Sequence, residues 1–269
     1  MDRLRFISLA SGSSGNCYYI GTASFGILID AGIGSRTIKK RFKEIGIPFE
    51  HIHAVFVTHD HIDHIKAVGT LGEKYHIPIY STSKVHEGIN CSYAVTQKLF
   101  SSKKIIEKNQ TVRIRDFEIE AFEVSHDASD SVGYTIYYKG KRFTVATDLG
   151  YICESAAAHI RKANYLVVET NYDEEMLDSG HYPAHLKKRI SGLYGHMNNI
   201  DTADFLARNY HDGLNHIYLC HLSRDNNTPK KAMEAVCNHL GKIGVNVGDH
   251  VSIQVLDRNK STELFVYEN

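Results

Sequence analysis

The stretch AVFVTHDHIDH (residues 54–64) joins four apolar residues to seven of which five are ionisable. Ala54-Val55-Phe56-Val57 reads as a short buried strand, continuous in apolar, β-branched and aromatic character. His59, Asp60, His61, Asp63 and His64 follow at once, where unpaired charge is costly. One or two cations would make that crowding favourable. Histidines at i and i+2 do not share a helix face, so His59 and His61 belong to a loop leaving the strand, where both rings can turn toward one point. Asp63 and His64 begin the next helix and can face a second point a few ångströms away. Two cations about 3.5–4 Å apart form the usual two-metal arrangement. A merely solvated His/Asp loop is the alternative, and the density of the cluster argues against it.

Four residues do not complete two sites, so further ligands are expected at the ends of other strands. EVSHDAS (123–129) puts His126 after the strand-like run 117–124. TVATDLG (144–150) puts Asp148 after the run 143–146, and IYLCHLSRDNN (217–227) puts His221 after the run 217–220. Singly, each reads as an ordinary polar residue at a strand end. Together they complement the histidine cluster.

Composition bounds what such a site could belong to. The 269 residues are 42% hydrophobic and 10% aromatic, with zero formal net charge; this is a globular composition, not a disordered one. No global field draws the chain to a polyanion, so any such binding depends on local patches. No apolar run approaches the roughly 20 residues that span a bilayer, and no signal segment precedes the fold, so a soluble, cytoplasmic protein is expected. Five scattered cysteines without a C-x-x-C pair read as reduced core or near-core residues. Seventeen histidines favour metal or proton chemistry.

Strands are expected at 4–9, 17–20, 26–29, 54–57, 112–114, 117–124, 132–138, 143–146, 165–168, 217–220 and 253–256, and helices at 35–45, 64–75, 183–193, 201–209 and 229–240. Pro183 and Pro229 suit a first helical turn. Two sheets packed together with helices outside, as one α/β domain over residues 1–269, fit this order.

His59-x-His61-x-Asp63-His64, followed by single His, Asp and His residues at strand ends, resembles the metallo-β-lactamase-fold hydrolases in order and rough spacing over nearly the whole chain. The resemblance implies a four-layer αβ/βα sandwich with two divalent metal ions. His59, His61 and His126 would hold one, and Asp63, His64 and His221 the other. Asp148 would bridge them. A nitrogen and oxygen ligand set without thiolate suits zinc or manganese, with iron also open.

Fold alone does not name a substrate. VVETNYD (167–173) and GHMNN (195–199) offer Glu169 and His196, a pair that resembles the Glu and His motifs of ribonuclease Z-like phosphodiesterases. There the histidine protonates a leaving oxygen, and a carboxylate behind it holds its tautomer. SLASGSSGNCYYI (8–20), TDLG (147–150), ETNYDEEML (169–177), GHMNN and CHLSRDNNTP (220–229) together resemble the bacterial YycJ/WalJ-like group, DNA exonucleases of 5′ to 3′ direction. Asp60 and Ile62 fill variable slots of the histidine motif, and Met197-Asn198 stands where Leu-Ser is common. The large inserted domain of ribonuclease J-type nucleases is not expected at this length.

The resulting expectation is a metal-dependent phosphodiesterase in which a metal-bridging hydroxide attacks phosphorus, Asp63 orients it, and His196 backed by Glu169 protonates the departing oxygen. The nucleic acid partner is expected to be DNA ahead of RNA. Lys187 and Arg189, between the Glu169 and His196 motifs, are the candidate phosphate contacts. The loop 11–16 could offer backbone N–H groups to an anion or be a plain turn. His181 and His185 stay undecided. A small-molecule or cyclic-nucleotide phosphodiesterase or lactonase is the first alternative, and a non-catalytic metal-binding regulatory protein the second.

Overall fold

In the computed structural model, which describes residues 2–267, the apolar runs become the strands of two mixed seven-stranded sheets. The chain divides into two units. One comprises Met1–Ala121, Ala128–Ser131 and Asp257–Asn269, the other Phe122–Asp127 and Val132–Leu256.

The first sheet opens as an antiparallel meander of β1 (Arg5–Ala10), β2 (Cys17–Gly21) and β3 (Gly26–Ile29). It continues in parallel through β4 (Ile52–Phe56), β5 (Ile79–Ser81) and β6 (Lys103–Ile105). Parallel neighbours need crossovers; α1 (Ser35–Glu44) supplies the first, the short α2 (Ile62–Ile65) lies in the second, and α3 (Ser83–Cys91) supplies the third. The register pairs Ile29 with Phe56, so β3 and β4 end side by side. Ile38 and Phe42, one turn apart on α1, bury against this sheet with Tyr19, Leu28 and Val55, and Tyr19 meets Phe42 edge to face at 5.1 Å.

The other sheet has the order β13-β12-β11-β10-β9-β8-β7. Its strands are β7 (Thr111–Ile114), β8 (Phe117–Glu123), β9 (Val132–Tyr138), β10 (Lys141–Ala146), β11 (Tyr165–Glu169), β12 (His216–Cys220) and β13 (Ser252–Val255). From β10 to β13 the strands are parallel. Their crossovers carry α4 (Glu154–Ile160), α5 (Glu174–Ser179), α6 (Ala184–Ile190), α7 (Asn199–Arg208) and α8 (Pro229–Lys242). Leu166, Val168, Ile217 and Leu219 form the core with Ala203 and Leu206 of α7 and with Ala232, Val236 and Leu240 of α8, the last three spaced at four residues on one helix face. The strand ends again coincide, with Ala146 opposite Val168 and Glu169 opposite Cys220.

Three expectations change. A single helix over 64–75 does not form: α2 stops at Ile65, and a π-helical turn covers Thr70–Lys74. The reason is hydrogen-bond competition. The Asp63 carbonyl accepts from Asn16 N–H at 2.7 Å, and Ala67 N–H donates instead to Ala31 at 2.8 Å, so the i to i−4 ladder is replaced by bonds to the loops after β1 and β3. The short strands β5, β6 and β14 (Phe265–Val266), with α3, α4 and α5, were not evident from periodicity. β6 is Lys-Lys-Ile, the charged sequence of an edge strand. All five cysteines are free thiols, but Cys91 is exposed rather than near the core. Among the described residues no helix is long and apolar enough to cross a membrane.

Candidate metal centre

Each unit carries a cluster of ligand-type side chains, most of them at the C-terminal ends of its parallel strands. In the first unit, His59 and His64 are buried and their rings lie 4.0 Å apart. The His61 ring meets His59 at 4.7 Å, and Asp63 lies 3.5 Å from His64 Nε2. Asp30, immediately after β3, organises the group. Its fully buried carboxylate accepts from Thr58 N–H at 2.8 Å, from the Thr58 hydroxyl at 2.9 Å and from His64 Nδ1–H at 2.7 Å. Burial pushes the Asp30 carboxyl up in pKa, and His64 and Thr58 pull against it.

These partners assign tautomers. The Thr58 hydroxyl spends its one proton on Asp30, so at 3.0 Å it accepts from His59 Nδ1–H. His59 and His64 therefore both carry hydrogen on Nδ1 and a lone pair on Nε2, the atom a divalent ion binds. This is the arrangement in which an outer carboxylate orients a metal-binding imidazole. The loop after β3 packs tightly enough that a Cβ on Gly32 would lie 1.6 Å from the Asp63 carbonyl oxygen, so only glycine fits there.

Sequence reading missed Asp30. The available signal was the one applied elsewhere, a lone acidic residue just past an apolar strand, here in GILIDAG (26–32). Replacing Asp30 with Asn substitutes an N–H for one acceptor oxygen and removes the anchor of both rings. Divalent-ion affinity should fall by about 10- to 100-fold, the usual cost of losing an outer-shell partner. Metal titration followed by calorimetry checks this; an unchanged affinity would remove Asp30 from the site.

The second cluster joins His126, Asp148, Glu169, His196 and His221. Ligand atoms of the last four lie within 4.8 Å of one another. His126 Nδ1–H donates to the Gly195 carbonyl at 2.9 Å, leaving its Nε2 3.8 Å from Asp148 Oδ1. Asp148 accepts from the Thr147 hydroxyl at 2.8 Å, and its Oδ1 is 3.3 Å from His221 Nδ1. Asp30, Asp148 and His221 share left-handed backbone, with φ of 59°, 55° and 54°. Such residues are uncommon and concentrate at functional sites; here each turns the chain sharply off a strand end.

Glu169, the last residue of β11, is fully buried. Its Oε1 accepts from His196 Nδ1–H at 2.8 Å and from His221 Nδ1–H at 2.9 Å. Its Oε2 accepts from the backbone N–H of Leu149 at 2.8 Å and of Met197 at 3.1 Å. Burial would raise the pKa, but the charge and hydrogen bond of His196, with those of His221, outweigh it and hold the carboxyl well below its usual range. Four donors saturate both oxygens, so Glu169 acts as a positioning carboxylate rather than a ligand. It serves two imidazoles, and sequence reading assigned it one. The Nε2 of His196 is left as the atom able to carry a transferable proton.

The expected phosphate contacts have other partners. Arg189 pairs with Asp127 through Nε at 2.6 Å and Nη2 at 3.0 Å, and Lys187 Nζ donates to the Asp178 carbonyl at 2.6 Å. The loop 11–16 is a turn: Gly15 N–H returns to Gly12 O, Gly12 N–H to Asn16 Oδ1, and Asn16 N–H braces Asp63. His181 and His185 are exposed.

The donor set suits divalent cations. Four buried imidazoles (His59, His64, His126 and His221) each have Nδ1–H committed to oxygen, and two carboxylates accompany them. Residues 26–208 match the Beta-lactamase superfamily domain. The chain is 35% identical over 261 residues to the exodeoxyribonuclease YycJ of Bacillus anthracis, covering 97% of this chain and 98% of that one. It is 35% identical over 258 residues to the exodeoxyribonuclease WalJ of Streptococcus pneumoniae serotype 2, covering 96% and 95%. Among solved structures, the metallo-beta-lactamase fold protein YhfI from Bacillus subtilis superposes with a TM-score of 0.68 at 16% identity, over 96% of this chain and 99% of that one.

Proposed function

The chain belongs to the beta-lactamase superfamily, has its αβ/βα sandwich fold, and falls within the family of the YycJ and WalJ exodeoxyribonucleases; from that premise we propose that it is a two-metal DNA exonuclease acting 5′ to 3′. The observation that carries this reading is identity of 35% along almost the whole length of relatives named exodeoxyribonuclease. The locked geometry of Glu169 and His196 supports it. We read residues 1–269 as one metallo-β-lactamase-like domain.

In this proposal His59, His61 and His126 hold one divalent ion, Asp63, His64 and His221 the second, and Asp148 belongs to both. Bound there, zinc or manganese lowers the pKa of water and neutralises charge developing on the phosphoryl group. The chain's own residues do the rest. Asp30 and Glu169 keep the imidazoles in the Nδ1–H tautomer. Asp63 orients the attacking oxygen. His196 delivers a proton from Nε2 to the departing oxygen, and Glu169, ionised and 2.8 Å behind it, stabilises the imidazolium that holds that proton. Lys187 and Arg189 are the candidate phosphate contacts.

The test uses end-labelled single- and double-stranded DNA and RNA with manganese or zinc, with and without a chelator. Progressive shortening of DNA from the 5′ end, abolished by chelation and restored by metal, is the expected outcome. Turnover confined to small diesters or lactones, or metal binding with no hydrolysis of any of these, would overturn it.

A further inference from the structure

Leu193, Tyr194 and Tyr151 are exposed by 70%, 62% and 45% respectively. Single exposed apolar residues need no explanation. These three lie on two abutting loops: a Cβ on Gly150 would meet the Leu193 carbonyl oxygen at 2.1 Å and the Tyr194 Cα at 2.8 Å. One loop carries Asp148 and the other carries His196.

The ledge is rigid. Three successive carbonyls, those of Leu193, Tyr194 and Gly195, accept from Ser125 Oγ at 3.0 Å, Asp127 N at 3.0 Å and His126 Nδ1 at 2.9 Å. Gly150 N–H returns to the Ser125 carbonyl at 2.7 Å, and His196 N–H to Ile190 at 2.8 Å. A preorganised apolar surface loses little freedom on binding.

We propose that Tyr194, flanked by Leu193 and Tyr151, is the stacking platform for the unpaired terminal base of a DNA strand. This rests on the exonuclease reading and names the form of its substrate: a strand end whose first base is free to leave its neighbours. Tyr194 stands two residues from His196. We assign to it the base next to the phosphate that His196 would serve. Stacking is tolerant of sequence, because every base has a π-face. Lys187 and Lys188 of α6 precede this loop, so two ammonium groups lie on the chain approaching the ledge, where a phosphate backbone would need positive charge; Arg189 beside them is paired with Asp127.

The experiment measures KM and kcat with manganese on two 5′-phosphorylated single-stranded oligodeoxynucleotides, one intact and one abasic at its first position. Tyr194→Ala should raise KM for the intact strand about tenfold, equivalent to about 1.4 kcal/mol and within the range of one base–aromatic stack. Its kcat and metal content should stay near wild type, and Tyr194→Phe should restore KM. On the abasic strand the wild-type KM should already be raised, and Tyr194→Ala should add nothing. Leu193→Ala should give a smaller shift in the same direction. An unchanged KM for Tyr194→Ala, or the same penalty on both strands, would overturn the platform while leaving the exonuclease reading intact. Failure of the wild type to shorten either strand would remove both.

Discussion

Replacing His196 with alanine is expected to lower turnover on DNA by about 10²- to 10⁴-fold, the range associated with a positioned general acid, while divalent-ion content stays at the wild-type level. The expectation follows from the hydrogen bonds of the ring. Nδ1–H is committed to Glu169 at 2.8 Å, and the side chain is 14% exposed, so Nε2 faces outward and can deliver a proton. Removing the ring deletes the donor and leaves Asp148 with its Thr147 contact and His221 with Glu169 and with the Asn171 side-chain N–H that its backbone carbonyl accepts. Metal analysis of the purified variant beside its kcat separates the two roles. Loss of metal together with activity would make His196 a ligand. A substrate whose leaving group needs no proton, such as a diester with a nitrophenolate leaving group, should recover much of the lost rate; equal losses on good and poor leaving groups would reject the acid role.

Replacing Glu169 should do more damage, because one carboxylate ties four donors from three parts of the chain. Glu169→Ala leaves the Leu149 and Met197 N–H groups buried without their acceptor and frees both His196 and His221. Breaking a buried charge–histidine network of this kind costs about 3–5 kcal/mol, a large share of the roughly 5–15 kcal/mol that holds a domain folded. Turnover should fall at least as far as in His196→Ala, and metal affinity should fall with it because His221 loses its orientation. Glu169→Gln is a sharper probe than it first looks. Glutamine has one oxygen for four donors, so its amide N–H groups face either the Leu149 and Met197 N–H groups or the two imidazoles, which must then give up the Nδ1–H tautomer. Thermal denaturation, metal titration and kcat on the Gln variant read the three consequences separately. Wild-type values in all three would mean that the network contributes neither to stability nor to the site.

The relation between sequence and structure is clearest at these two carboxylates. THDHIDH announced its chemistry because charge crowded at a buried strand end needs a reason, and His126, Asp148 and His221 followed because each is alone just past an apolar run. Strand periodicity placed β1 to β4 and β8 to β12 within a residue or two at most ends. Asp30 carried the same signal and was passed over. Its neighbours in GILIDAG offered no second ligand type to draw attention, and its partner His64 lies 34 residues away. The double role of Glu169 was hidden for the same reason, since His196 and His221 reach it from 27 and 52 residues along the chain.

The sequence by itself determined the residue types of a candidate metal site, the strands that end near it and the α/β class. Those are local properties, set by side-chain chemistry and by a hydrophobic period of two or 3.6 residues. Only the tertiary structure decided which nitrogen of each histidine carries the proton, where α2 breaks, and why Leu193 and Tyr194 face water. Each of those depends on a hydrogen bond between segments far apart in sequence, and a hydrogen bond is directional: its partner is known only when both segments have been placed.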